Sequence, residues 1–155
     1  RDPRLRFVWV GDGARREDYE ARLASLGLRE RVQLTGLIPP ERVHEALAGM
    51  DILVHASQWE GLPRAAVQAL LMRVPVISFA IDGAPEVVMP DQTGLLVALN
   101  DVSGLAEGMV RLASDGGLRD RLGEAGRRLC LSRFDWRAMV AQLDALYAEL
   151  LRRPQ

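Results

Sequence analysis

A chain of 155 residues, 48% of them hydrophobic, is long enough for one domain with a core, and a net charge of −1 gives no support to a nucleic-acid partner. All twenty basic residues are Arg, which excludes a Schiff-base lysine and a phosphate-cradling lysine within this segment. Cys130 stands alone, so there is no internal disulfide or thiolate metal site, and His44 and His55 are too few for a histidine zinc site without carboxylates.

The chain starts on Arg and enters almost at once on a strand, which reads as a piece of something longer. Residues 5–10 form that strand, and Gly11-Asp12-Gly13 ends it. Such a turn is either a plain tight turn or a place where a ligand approaches the backbone. Residues 16–26 have the period of an amphipathic helix, with Tyr19, Leu23 and Leu26 on one face and Gly27 as its stop. Residues 32–34 are a short strand, and a Pro-rich connector leads to a helix at 41–48. The helix leaves His44 facing outward.

An apolar strand at 52–56 carries His55, which at the strand's end either reaches the site or, the preferred reading, is a hydrogen-bonded structural histidine. The stretch Trp59-Glu60-Gly61-Leu62-Pro63-Arg64-Ala65 follows it and reads as a turn with an acid, running into a helix from Pro63 to about Met72. A helix N-terminus has free N–H groups and partial positive charge, and it is a ready anion site. This helix is almost entirely apolar, which predicts burial. Arg64 and Gln68 are its polar exceptions, four apart and so on one face. A phosphate and a ribose would partner them, or else backbone and solvent do. A strand at 74–79, a loop at 80–88, a strand at 93–97, a helix at 101–114 capped by Asp101, a helix at 117–131 and a last helix to about 152 complete the chain. The last helix bears a stripe of Met139, Leu143, Leu146 and Leu150, either a docking face or ordinary core. Strands that read as continuous apolar runs and alternate with helices predict a parallel sheet with helices on both faces.

Four ordered motifs carry a resemblance: the Val-Gly-Asp-Gly turn at 10–13, Glu-Gly-Leu-Pro at 60–63, Asp-Gly-Ala-Pro-Glu at 82–86 and Thr-Gly-Leu-Leu-Val at 93–97. Together they resemble the donor-binding, C-terminal half of a GT-B glycosyltransferase of the retaining family related to sucrose and glycogen synthases, glycosyltransferase family 4. The resemblance spans nearly the whole chain. It implies a Rossmann-like α/β fold, and sugar transfer from a UDP- or GDP-linked donor to an acceptor glycan or lipid, in glycan or cell-envelope polysaccharide synthesis.

Its motif places a Glu, seven residues and a second Glu on the loop and helix. Glu60 takes the first place and implies a catalytic acid facing the donor sugar. Gln68 takes the second, where a carboxylate would hold the ribose. An amide still hydrogen-bonds a hydroxyl but loses the charge-assisted bond. The resemblance further implies nucleotide contacts at Gly11, Gly13, Gly36, Leu37, Ile38, Gly61, Leu62, Pro63, Arg64, Ala65 and Gln68. For residues 36–38 the other reading is a connector whose apolar side chains reach the core. Asp82 replaces the first Gly of the family's Gly-Gly-x-Pro-Glu loop, at a place where Asp still suits a turn.

No Asp-x-Asp occurs, so neither a metal nor a cofactor beyond the donor is expected. The family's first strand and helix, with the Arg and Lys that clamp the diphosphate, have no match. The segment is therefore expected to lack that unit and the acceptor domain, to transfer no sugar alone, and to be marginally stable or self-associated through unpaired strand edges. No apolar run reaches membrane-spanning length and no signal peptide opens the chain. A cytoplasmic setting is expected, extending to the inner membrane face. A non-catalytic nucleotide-sugar-binding domain, suggested by Gln68, and a nucleotide-sugar epimerase of the same fold are the alternatives. A receiver-like signalling module would want a Lys, which the chain lacks.

Overall fold

The computed structural model describes residues 5–152, and the chain divides into two compact units, 1–46 and 47–155.

In the first unit, β1 (Phe7–Val10) and β2 (Val32–Gly36) pair in parallel from Phe7↔Val32 to Trp9↔Leu34, with a register shift at Val10. Parallel strands need a crossover, and α1 (Arg16–Ser25) supplies it. Gly27 ends α1 at φ 65°, where an L side chain would be strained. The expected apolar face of α1 is less covered than its period suggested. Within α1 no residue is buried; Tyr19 lies against the Trp9 ring at 4.8 Å, and Leu26, just past its end, is 53% exposed. The expected helix at 41–48 opens as a 3-10 turn, Pro40–Arg42, before α2 (Val43–Ala48).

The second unit has a sheet of order β3-β4-β5, formed by Leu53–His55, Val76–Phe79 and Gly94–Val97, all parallel. All four residues of the central β4 are buried, so both faces of that strand are covered, as its unbroken apolar run predicts. Ile77 and Phe79 point into the main core with Leu95, Leu105, Leu112, Leu118 and Leu122. These leucines come from β5, α5 (Val102–Ser114) and α6 (Gly116–Arg133). Asp101 and Asp115 cap the two helices, accepting from the N–H of Gly104 and of Leu118 at 2.8 Å each.

The crossover helix between β3 and β4 is α3 (Arg64–Leu71). It is buried on one side only, through Ala66, Ala69 and Leu70, while Arg64, Ala65 and Gln68 are exposed. Wholesale burial, expected from its composition, is corrected here. Small alanines leave one side with little to bury. Pro63, assigned from sequence to the first helical position, sits at the N-cap, one residue before the helix begins at Arg64, and its carbonyl accepts from Ala66 and Val67. Against the buried side of α3 runs α6, drawn close by two glycines: a Cβ on Gly126 would come within 2.4 Å of Leu70, and one on Gly123 within 2.1 Å of the Arg73 carbonyl. The Arg127 guanidinium caps the far end of α3 by donating to the Leu71 carbonyl. The expected loop at 80–88 contains a helical turn, α4 (Ala84–Val87), with Pro85 in its first turn. The final helix, α7 (Trp136–Arg152), has no buried residue; Met139, Leu143, Leu146 and Leu150 are 43–56% exposed, so the stripe is not intradomain core among the described residues.

Candidate functional site

At the C-terminal end of β3 the chain turns through residues 56–63 into α3. In parallel α/β sheets this is the end where ligands bind. His55 is the last residue of β3 and lies beside Ser78 of β4 in the parallel register. Its Nε2 is 3.1 Å from Oε1 of Glu60, and the two side chains are 12% and 27% exposed. The Glu60 backbone is held separately, its N–H donating to Oδ2 of Asp82 at 2.9 Å. Asp82 adopts φ 40°, a left-handed conformation that Asp tolerates better than most residues. Beside it, Gly83 packs backbone to backbone on the Glu60 turn: a Cβ there would sit 2.1 Å from the Gly61 carbonyl oxygen. The loop after β4 thus sets the loop after β3.

At Gly61 an added Cβ would meet nothing within 4 Å, so packing does not demand this glycine. Among the described residues the backbone N–H groups of Leu62, Arg64 and Ala65 have no acceptor, and the side chains of Arg64 and Gln68 make no hydrogen bond or ion pair. Exposure rather than a buried partner satisfies these two side chains. The result is a carboxylate held at one oxygen, adjoining a helix N-terminus with free donors. Nearby, the Gln58 amide donates to Oδ1 of Asn100 at 2.8 Å.

In the first unit, the Gly11 N–H donates to the Gly36 carbonyl at 2.9 Å, and Gly11 and Gly36 have φ of 127° and 70°. The Gly13 carbonyl accepts from the N–H of Arg16, opening α1. An open cavity of about 200 Å³ lies over this turn, lined among others by Trp9, Gly11, Asp12, Gly13, Arg16 and Tyr19. Arg16 is not a free cation there. Glu20 at 2.9 Å, then Asp12 at 3.2 Å, hold its guanidinium and raise its pKa, the hydrogen bond to Glu20 contributing most. Gly11, Gly13 and Gly36 are therefore brought together. Leu37, 81% exposed, reaches no core, while Ile38 is half-buried.

A family model described as Glycosyl transferases group 1 matches residues 1–129. The chain belongs to this family. Among curated relatives of the glycosyl transferases group 1 chain, the alpha-D-kanosaminyltransferase of Streptomyces kanamyceticus is 28% identical over 93% of this chain and 37% of its own length. Among solved structures, sucrose-phosphate synthase from Thermosynechococcus elongatus matches with a TM-score of 0.85 and 30% identity, over 93% of this chain and 37% of that one. The Anabaena Alr3699/HepE structure in complex with UDP-glucose matches with a TM-score of 0.88 at 23% identity, over 96% of this chain and 42% of that one, which shows the fold. The chain spans about two-fifths of each. The α/β fold with parallel sheets and helices is that of these solved structures. Among the described residues no helix is long and apolar enough to cross a membrane.

Within this family frame, Glu60, Gly61, Leu62, Pro63, Arg64, Ala65 and Gln68 occupy one loop and one exposed helix side in the second unit. Gly11, Gly13 and Gly36 cluster in the first. Sequence reasoning missed the part played by Asp82, whose signal was a non-glycine in a family glycine position. His55 was open to either a site or a structural role, and the structure gives it Glu60 as its partner. A histidine five residues before the acid, at a strand end, was the available clue.

Proposed function

We propose that this chain is the C-terminal, donor-binding part of a retaining glycosyltransferase of family 4. It moves a sugar from a UDP- or GDP-linked donor to a glycan or lipid acceptor, in glycan or cell-envelope polysaccharide synthesis at the cytoplasmic side of the membrane. The observation that carries the reading is Glu60: a carboxylate fixed by His55 through Oε1, with Oε2 unpartnered, on a loop that runs into the free donors of α3. Glu60 Oε2 accepts from a donor-sugar hydroxyl and sets the anomeric carbon. The bond from that carbon to the diphosphate oxygen breaks, the new bond to the acceptor hydroxyl oxygen forms on the same face, and the acceptor's proton passes to the departing diphosphate oxygen. The N–H groups of Leu62, Arg64 and Ala65, with the Arg64 guanidinium, take up the charge of the departing diphosphate. Gln68 bonds the ribose hydroxyls.

The reading is supported by family membership and by a relative and a solved structure named for sugar transfer and sugar-phosphate synthesis. The test is a donor screen on the protein that carries this chain, reading nucleoside diphosphate release and the product anomer by proton NMR. One nucleotide class turned over with the donor's anomeric configuration kept is expected. Inversion, or binding without release from any donor, contradicts it.

A further inference from the structure

We infer that His55 is a positioning residue for Glu60, and that Ser78 fixes which way its imidazole faces. The inference rests on the reading of Glu60 as the donor-facing carboxylate. A carboxylate only accepts, so the proton in the 3.1 Å contact belongs to His55 Nε2. The other ring nitrogen, Nδ1, is 3.5 Å from Ser78 Oγ, which is itself 3.1 Å from the Phe79 carbonyl oxygen.

Ser78 is fully buried and its hydroxyl can serve either charge state of the ring. When the imidazole is neutral, the hydroxyl turns toward Nδ1 and donates to it. When it is protonated, Nδ1–H donates to Oγ and the hydroxyl donates to Phe79. Both states leave Nε2–H on Glu60. The carboxylate is thus held in one orientation through Oε1 while Oε2 stays open to a ligand. The parallel register that pairs His55 with Ser78 puts both side chains on one face of the sheet, so the relay is built into the strands. A second-row hydrogen bond of this kind fixes the tautomer and direction of a working group.

Two measurements test it. In the chain labelled with 15N-histidine there are two imidazoles, and His44 is exposed. A slowly exchanging Nε2–H resonance from His55 is expected, and it should vanish in Glu60→Ala. Its absence from the folded chain, or its survival in Glu60→Ala, overturns the inference. In the transferase itself, His55→Ala should lower kcat roughly tenfold with donor KM changed by less than about twofold, since small misplacements of a reacting group are costly. His55→Gln, whose amide can still donate, should recover most of the loss. In a Glu60→Ala background, His55→Ala should cost nothing further. Additive losses, or no recovery in a folded His55→Gln variant, overturn the positioning role. Full turnover in Glu60→Ala would instead remove the donor-hydroxyl reading, and the positioning role with it, whatever the imidazole resonance shows.

Discussion

Two glycines near the site have opposite reasons to be glycine. Gly83→Ala pushes a methyl group to within 2.1 Å of the Gly61 carbonyl, and neither backbone can yield cheaply. A loss of roughly 1–3 kcal/mol is expected in urea unfolding, the usual cost of overpacking. Gly61→Ala meets no protein atom within 4 Å, so its stability should change by no more than about 0.5 kcal/mol, while donor affinity falls because the methyl group occupies the ligand's side of the turn. Equal destabilisation by both would mean that the turn is not packed as described. Gln68→Glu should tighten nucleotide binding, by about 1.5–3 kcal/mol if the ribose hydroxyl gains a charged acceptor. Calorimetry showing binding abolished in a folded variant would remove Gln68 from the ribose. These residues differ in how far they could be read in advance. Glu60 and its Gly-Leu-Pro run were legible because adjacent residues make the turn and the helix start. The carboxylate of Asp82 on the Glu60 N–H was not, because its partner lies 22 residues away and only the fold brings them together.

Secondary structure followed periodicity closely where a single local signal decided it. Asp101 capped its helix, Gly27 stopped α1, and the apolar run at β4 proved to be covered on both faces. Composition misled where burial depends on a neighbour. The alanine-rich α3 looked buried all round, yet only the side against α6 is covered. The stripe on α7 has the period of a core helix but packs into no core among the described residues. Exposed positions contribute little to folding, so Leu143→Asp with Leu146→Asp should leave the unfolding free energy of this chain, from urea titration, within about 0.5 kcal/mol of the parent. A loss of several kcal/mol would show that the stripe is core after all. Gly123→Ala, by contrast, drives a methyl group against the Arg73 carbonyl and should destabilise the α3–α6 contact strongly.

For the molecule as a whole, the fold class was legible because alternating strands and helices leave few parallel arrangements, whereas the division into two compact units was not. Cys130 offers a built-in reporter of the second unit. It is the chain's one thiol, it is buried, and burial pushes its pKa up to about 11. Iodoacetamide should modify it at pH 8 only after unfolding. An unfolded thiol titrates near ~8.5, so above that pH the unfolded chain has shed a proton that the folded chain keeps. This contribution to stability is present at neutral pH and is lost as pH rises toward about 11, and Cys130→Ala should remove that part of the slope. Donor binding and transfer both turn on Glu60, and the most direct measurement is kcat of Glu60→Ala at saturating donor in the protein that carries this chain, beside its circular dichroism and melting curve. At least a roughly tenfold lower turnover with an unchanged fold is expected, a loss equivalent to about 1.4 kcal/mol of transition-state stabilisation. Near-normal turnover in the folded variant would contradict the account.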